Sequence, residues 1–196
     1  MNFCSECGTR VALSIPPGDT RLRHVCMNCG KVHYQNPKLV VGAIPVWEER
    51  ILLCRRAIEP RRDKWTLPAG FMENHETTAD AAIRETLEEA CARVELGEMF
   101  TLIDLPHIDQ VHIFYRARLL DADFRPGDES LETVLFTEAD IPWSDIAFPT
   151  TTLTLRRYFD DRRSGCWCFH GLAAGTEVTA ADLHGGLPQG ISAQPL

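Results

Sequence analysis

The sequence has no long apolar run and no excess of positive charge, and each absence argues against a class of function. No stretch of about 18 apolar residues occurs, which argues against a membrane-spanning helix, and no basic segment followed by an apolar one opens the chain. Lysine and arginine number 20 against 28 aspartate and glutamate residues, for a formal net charge of -8. A surface for long nucleic acids or anionic membranes would need clustered Lys and Arg. We therefore expect a soluble, cytoplasmic protein without a nucleic-acid or membrane partner.

The composition is nevertheless that of a folded chain. Hydrophobic residues make up 44% of the 196 positions, which suits a packed core and argues against disorder. This length is typical of one ordinary domain with a small accessory module.

Half of the eight cysteines form two C-x-x-C motifs near the N-terminus. Cys4 with Cys7 and Cys26 with Cys29 are separated by 18 residues, and a glycine follows each pair. This spacing is typical of a structural Zn²⁺ site built from four thiolates, which has no open position for catalysis. About 30 residues are too few for a core of their own, so metal would stabilise this fold. Disulfides or buried free cysteines are the alternative, which the lack of secretory features disfavours.

A polar, proline-marked linker at residues 34–37 is predicted to precede the first long strand, which begins at Lys38. The runs LVVGAIPVW and ILLCRR form a hairpin across residues 48–50, and VHIFYRARL forms a later strand. The pattern of residues 149–163 predicts a helix.

A helix with one acidic face is predicted in the middle of the chain, where Thr77 and Asp80 resemble a capping box. Three of its carboxylates fall within an arc of roughly 100°, those of Glu85, Glu88 and Glu89. The residues expected to anchor the opposite side in a core are Ala79, Ile83, Leu87 and Ala90. A solvated acidic face is the alternative, but that would not require the glycine-led loop before the helix.

The segment from Gly70 to Ala92 resembles the Nudix box, G-x5-E-x7-R-E-U-x-E-E-x-G-U, in which U is aliphatic. Six of its defining positions are filled here, by Gly70, Glu76, Arg84, Glu85, Glu88 and Glu89. Thr86 and Ala92 stand at two aliphatic positions, and Cys91 replaces the second glycine. Glycine there commonly adopts a left-handed conformation, which Cys adopts less easily.

Beyond the box, the chain resembles Nudix hydrolases with an N-terminal zinc ribbon, a group that includes FAD and ADP-ribose pyrophosphatases. The matching blocks include YQNPKLVVGAIP, DESLETVLF and IPWSDIAFPT. The resemblance implies an α/β fold, a Nudix α/β/α sandwich on a mixed β-sheet. We expect the zinc ribbon at residues 1–35, the Nudix hydrolase domain at 36–163, and an accessory C-terminal tail at 164–196.

The resemblance also implies cleavage of the pyrophosphate bond in a nucleoside diphosphate-linked compound, with FAD or ADP-ribose favoured and AMP as one product. The ligands implied for Mg²⁺ or Mn²⁺ are the Gly70 carbonyl and the carboxylates of Glu85, Glu88 and Glu89. Arg84 would orient these glutamates, and Glu76 would support Arg84 from the loop. The candidates for the general base are Glu85, Glu129 and Glu132.

Basic residues before the box are expected to bind the diphosphate, since guanidinium groups match phosphate oxygens. The candidates are Arg55, Arg56, Arg61 and Arg62, with Trp65 beside them to stack on a base. Ordinary surface charge is the alternative explanation of these arginines.

Two further groups are left unassigned. His107 and His112 flank the expected substrate side, but a lone histidine more often has a structural role. Cys166, Cys168 and His170 suggest a second metal site, although their spacing is poor and a fourth ligand is not evident.

Three other functions stay open. NADH pyrophosphatases also carry a four-cysteine zinc module, but the proline-rich motif that follows their box is absent here. An RNA or nucleoside-triphosphate pyrophosphohydrolase is a second alternative, although the negative net charge disfavours long RNA. A zinc-ribbon regulator that binds nucleotides without cleaving them is an alternative of another class, against which the intact glutamates count. The expected partner is a nucleotide-type small molecule; the oligomeric state stays open, with a homodimer as one option.

Overall fold

The computed structural model describes residues 1–173 and divides into two units at the boundary between Pro37 and Lys38. The N-terminal unit is an antiparallel sheet in the order β1-β2-β3. Its strands are β1 (Val11–Ser14), β2 (Arg23–Cys26) and β3 (Val32–His33). Both C-x-x-C turns end in a glycine at positive φ, Gly8 at 70° and Gly30 at 72°, where a side chain would be strained.

The second unit contains a sheet of eight strands within the described residues. These strands are β4 (Lys38–Trp47), β5 (Arg50–Arg56), β6 (Trp65–Thr66), β7 (Ala69–Phe71), β8 (Val94–Leu105), β9 (Gln110–Leu119), β10 (Ser130–Phe136) and β11 (His170–Ala173). The α-helices of this part of the chain are α1 (Thr78–Ala90) and α2 (Pro149–Ser164), and short 3-10 turns occupy Pro106–Ile108 and Trp143–Asp145. The predicted hairpin is present as β4 and β5.

The sheet is mixed. Its order is β10-β5-β4-β9-β8-β11, with β6 beside β5 and β7 beside β4. The pairs β4–β9 and β8–β11 are parallel, and the remaining pairs are antiparallel. The N-terminal half of β4 thus lies between β9 and the short strand β7, which precedes α1.

The two helices cover opposite faces of this sheet. Neighbouring residues of a strand point to opposite faces, and two neighbours in β9, Ile113 and Phe114, belong to different clusters, one with α1 and one with α2. One cluster joins the sheet to α2 through Ile44, Phe114, Leu155 and Phe159. Another joins the other face to α1 through Val41, Ile113, Ala81 and Ala82. This arrangement confirms the α/β/α sandwich expected from the sequence.

The chain continues into the sheet after α2. Gly165 adopts a left-handed conformation with φ of 70°, and β11 then pairs in parallel with β8 along the sheet edge. Of residues 164–173, predicted as the start of an accessory tail, Ser164 is the last residue of α2 and His170–Ala173 form an edge strand of the main sheet. The remainder of that predicted tail, residues 174–196, lies outside the described residues. No helix within residues 1–173 is long and apolar enough to cross a membrane.

Candidate functional site

Capping residues define both ends of helix α1. Thr77 is the N-cap, and it exchanges two hydrogen bonds with Asp80: the Asp80 amide donates to Thr77 Oγ1 at 3.1 Å, and the Thr77 amide donates to Asp80 Oδ2 at 3.1 Å. The predicted capping box is therefore present. Cys91 ends the helix in the left-handed conformation, with φ of 47°. This non-glycine residue thus reproduces the exit turn that the box pattern assigns to glycine.

The prediction of which side of α1 is buried was wrong for its two large side chains, although Ala90 is buried as expected. Ile83 and Leu87, expected to anchor the helix, are 40% and 51% exposed. The full set of buried residues in α1 is Ala81, Ala82, Glu85, Thr86, Glu89 and Ala90. Small side chains let the helix lie close to the sheet, and this close approach carries the two glutamates into the contact.

Burial of these carboxylates changes their acidity. Loss of water raises the pKa of Glu89 to about 8, although its Oε2 accepts a hydrogen bond of 3.2 Å from the Ala69 amide. Loss of water also raises the pKa of Glu85, with Arg84 opposing the shift. A buried anion of this kind needs a nearby cation to be stable in its charged form.

Two glycines allow other parts of the chain to approach α1 closely. A Cβ on Gly70 would lie 2.4 Å from the carboxyl atoms of Glu85, so a side chain at this position of β7 would displace that glutamate. A Cβ on Gly127 would lie 1.7 Å from the Glu88 carbonyl oxygen. The Gly127 amide also donates to the Glu89 carbonyl at 3.0 Å, which holds the loop before β10 against the end of α1. This contact brings Glu129 toward the same region.

Arg84 links the acidic residues of the helix and loop. Its Nε and Nη2 donate to the two oxygens of Glu76 at 3.0 and 2.7 Å, a bidentate pair that lowers the pKa of Glu76 to about 2. Its Nη1 donates to Glu85 at 2.6 Å and to Glu88 at 3.0 Å. The guanidinium therefore contacts both helix carboxylates, Glu85 as a buried group and Glu88 as an exposed one.

A cavity of about 1080 Å³ opens beside this helix. Its polar lining includes Arg56, Arg84, Glu85, Glu88, Glu89, Asp128 and Glu129, together with Gly70. Glu132 does not line it, because its carboxylate accepts a 2.8 Å hydrogen bond from Arg55 on the adjacent strand. Of the two loop glutamates considered as general base, only Glu129 therefore reaches the cavity.

Some of the predicted substrate-binding residues line the cavity and others do not. Arg56 lines the cavity, and its guanidinium lies over the Phe148 ring at 5.1 Å from the ring centre. Arg55, Arg61 and Arg62 are not among the lining residues. The Trp65 ring packs edge-on against Phe136 at 5.0 Å and contacts the core beneath α2, which argues against its predicted role in stacking on a base.

Several lining residues were missed or left unassigned by the sequence argument. His107 and His112 both line the cavity, and so do residues at the start of α2, namely Phe148, Pro149, Thr150 and Thr151. His112 Nδ1 lies 3.1 Å from Thr150 Oγ1, and its Nε2 lies 2.9 Å from Gln110 Oε1. Burial lowers the pKa of His112 to about 4, so this ring is neutral at pH 7. In the sequence, the only sign that these residues line a cavity is that polar side chains such as His112 and Gln110 occur at the start of the otherwise apolar strand β9.

The glutamates of α1 fit a divalent cation in chemistry, because hard carboxylate oxygens are the ligands that Mg²⁺ and Mn²⁺ prefer. Their ligand atoms do not, however, all lie within 4.8 Å of one another. Within residues 1–173, groups of three or more Cys, His, Asp or Glu ligand atoms lie within 4.8 Å of one another only in the four-cysteine cluster and at Asp161, Cys168 and His170. The exposed Glu88 side chain can turn toward a cation, whereas buried Glu85 and Glu89 are held by Arg84 and Ala69.

The four N-terminal cysteines converge as a zinc site requires. Sulfur–sulfur separations are 3.7 Å for Cys4–Cys29, 3.4 Å for Cys7–Cys26 and 3.6 Å for Cys7–Cys29. Tetrahedral Zn²⁺ with bonds of about 2.3 Å places its sulfur ligands about 3.8 Å apart. His33 Nε2 lies 3.3 Å from the Cys4 sulfur, where it can donate a hydrogen bond that supports the ligand.

Two family models account for most of the chain. The model for the Nudix N-terminal zinc ribbon matches residues 2–35, and the model for the NUDIX domain matches residues 36–163. A solved NUDIX hydrolase from Nitrosomonas europaea is 56% identical, with a TM-score of 0.86, and the match covers 89% of this chain and 99% of that one.

More distant relatives have named activities. An ADP-ribose pyrophosphatase from Methanocaldococcus jannaschii is 26% identical over 113 residues, which is 56% of this chain and 67% of the relative. The NAD-capped RNA hydrolase NudC from Chromobacterium violaceum is 30% identical over 146 residues, which is 74% of this chain but only 50% of the relative. With the zinc-ribbon and NUDIX matches together spanning residues 2–163, the chain belongs to the Nudix hydrolase family.

Proposed function

We propose that this protein hydrolyses the pyrophosphate bond of a nucleoside diphosphate-linked compound, FAD or ADP-ribose, to give AMP and a second phosphate product. The observation that carries the proposal is a cavity of about 1080 Å³ that combines acidic, basic and apolar walls. This volume is at the upper end of the range for small-molecule pockets, about 300–1,000 Å³, and so has room for a nucleotide-type ligand.

The apolar wall gives a base or flavin ring a place to bind. It includes Ile58, Phe71, Leu87, Ile108 and Phe148, four of which are exposed large hydrophobic side chains. Ring stacking on such surfaces stabilises a bound nucleotide by burial of flat apolar area. Arg56, held over Phe148, places one guanidinium beside this wall for a phosphate oxygen.

The acidic wall supplies the ligands for a divalent cation. Glu85, Glu88 and Glu89, with the Gly70 carbonyl, would hold Mg²⁺ or Mn²⁺, which when bound neutralises phosphate charge and acidifies a water molecule. The role of Arg84 is to orient Glu85 and Glu88, since its Nη1 contacts both carboxylates.

Glu129 is the general base that the geometry favours. It lines the cavity on the loop that Gly127 fastens to α1, whereas Glu132 is paired with Arg55 outside the lining. Glu85 is the less favoured candidate, because its Oε1 already accepts from Arg84 at 2.6 Å. A carboxylate within reach of a water molecule in the cavity can take its proton as the pyrophosphate bond breaks.

A second candidate substrate is an NAD-type dinucleotide. The similarity to NudC over 146 residues supports it, and the absence of the proline-rich motif after the box counts against it. A non-catalytic nucleotide sensor would use the same cavity but would have no need of Glu129.

The test is a substrate screen with two matched variants. FAD, ADP-ribose, NADH, dinucleoside polyphosphates and nucleoside triphosphates are incubated with Mg²⁺, and products are separated by chromatography. We expect turnover of FAD or ADP-ribose with release of AMP, a fall in kcat of about 10²-fold or more in Glu129→Gln, and near-parental kcat in Glu132→Gln. Turnover of triphosphates without FAD or ADP-ribose would refute the substrate class. Metal-dependent nucleotide binding without any turnover would favour the sensor.

A further inference from the structure

A group of potential metal ligands lies far along the chain from both sites described above, where the segment after α2 enters the sheet. Asp161 is on the last turns of α2, and the chain turns back at Gly165 to bring Cys168 and His170 against it. His170 is the first residue of β11, which pairs with β8. The ligand atoms of all three side chains lie within 4.8 Å of one another.

We propose that Asp161, Cys168 and His170 bind a second Zn²⁺ ion, separate from the zinc ribbon and from the catalytic cavity. The separations between ligand atoms carry the proposal. Cys168 Sγ lies 3.6 Å from His170 Nε2 and 3.8 Å from Asp161 Oδ2, and His170 Nε2 lies 3.0 Å from Asp161 Oδ2. Tetrahedral zinc with ordinary bond lengths would place these atoms about 3.6, 3.6 and 3.4 Å apart. Each observed separation is therefore within about 0.4 Å of the expected one.

The chemistry of the three ligands suits zinc. A thiolate, a carboxylate and an imidazole are the sulfur, oxygen and nitrogen ligands that zinc binds in proteins, and the two anionic groups balance its charge. The Asp161 and His170 side chains are only 9% and 14% exposed, so a bound metal would supply a partner to two polar groups that are largely shielded from water. Cys168 is exposed, which leaves the fourth position open to a water molecule.

The positions of Asp161 and His170 also imply a structural role for the metal. Asp161 belongs to α2 and His170 to the edge strand β11, so a shared ion would fasten the helix to the sheet edge. In the structure, the contact consists of a 3.0 Å hydrogen bond between His170 Nε2 and Asp161 Oδ2 and a 3.1 Å hydrogen bond from the Cys168 amide to Asp161 Oδ2. The competing explanation is thus a metal-free hydrogen-bonded contact, and the two explanations predict different zinc contents.

The experiment measures zinc in the full chain by mass spectrometry after removal of loosely bound metal and reloading with Zn²⁺. We expect two Zn²⁺ per chain in the parent, one in Cys168→Ser and one in His170→Gln. Cys166→Ser is the matched control: this exposed cysteine lies two residues from Cys168 but is outside the ligand group, so the variant should keep two.

Reloading with Co²⁺ gives a second readout that does not depend on the counting of zinc. The visible absorption of tetrahedral Co²⁺ should contain a component that disappears in Cys168→Ser and persists in Cys26→Ser, which removes a ribbon ligand. Circular dichroism and the melting temperature identify a variant that has failed to fold, and Asp161→Asn then replaces it. One Zn²⁺ per chain in the parent, unchanged in Cys168→Ser, would overturn the proposal.

Discussion

Replacement of Glu89 by Gln tests the acidic wall without changing its size. The parent side chain is buried, and loss of water raises its pKa to about 8, so without a cation it is protonated at pH 7. In the unfolded chain the same group ionises near its ordinary value of 4.5. Folding of the metal-free parent therefore takes up a proton between these two values, and its stability falls as pH rises from about 4.5 to about 8. Gln has no such dependence.

The size of the stability difference between Glu89→Gln and the parent follows from the width of this pH range. Each pH unit within it changes the unfolding free energy by about 1.4 kcal/mol, so the advantage of Glu89→Gln over the parent should grow by roughly 2 to 3 kcal/mol between pH 5.5 and pH 7.5. For a domain of this size that corresponds to roughly 5 to 10 °C in melting temperature. Like-charge repulsion on a solvated helix would contribute only a few tenths of a kcal/mol, without this dependence on pH.

The assay is thermal unfolding of parent and variant in chelator at a series of pH values, repeated with Mg²⁺. Glu88→Gln is the control, since Glu88 is on the same helix but its side chain is 58% exposed. The parent should gain stability from Mg²⁺ and the Glu89 variant should gain less, with a fall in kcat of about 10²-fold or more. A difference between Glu89→Gln and parent that does not change with pH would refute the burial argument. Near-parental turnover at limiting Mg²⁺ would show that this face does not bind the catalytic metal.

The remaining predictions concern residues outside the cavity. Cys26→Ser should lower the zinc content by one ion per chain, while Cys54→Ser, a buried thiol of β5, should leave it unchanged; equal contents by mass spectrometry would contradict the ribbon site. Trp65→Phe should lower the melting temperature through lost packing against Phe136, at a cost of roughly 1 kcal/mol or more, and should leave KM for ADP-ribose within about twofold. A tenfold rise in KM would restore Trp65 as a substrate contact.

Much of the framework could be predicted because it depends on short-range patterns. Residues close together in the sequence determine the two C-x-x-C motifs, the hairpin of β4 and β5 and the capping box at Thr77. The fold class followed from the resemblance of the box and its flanking blocks, and the family matches bear it out. Even the replacement of glycine by Cys91 left the helix exit in the expected left-handed conformation.

The side of α1 that faces the core was not predictable from apolar periodicity. Large side chains at Ile83 and Leu87 normally mark a buried stripe. Here the helix approaches the sheet through alanines, and the close contact favours small residues over large ones. Leu87 then becomes part of the cavity wall, where an exposed apolar side chain can contact a ligand. Hydrophobic side chains on an enzyme helix thus need not point toward the core.

The choice between Glu129 and Glu132 depends on a β-bulge that strand alternation cannot reveal. In the pairing of β10 with β5, Ser130 lies opposite Arg56 and Glu132 lies opposite Arg55, so the register shifts by one residue between them. This shift sets Glu132 across from Arg55, and the two side chains form an ion pair at 2.8 Å. Each was expected to act on the substrate, one as a base and the other as a phosphate ligand. Because Arg55 and Glu132 are paired with each other outside the cavity, we propose that two lining residues, Glu129 and Arg56, serve these functions instead.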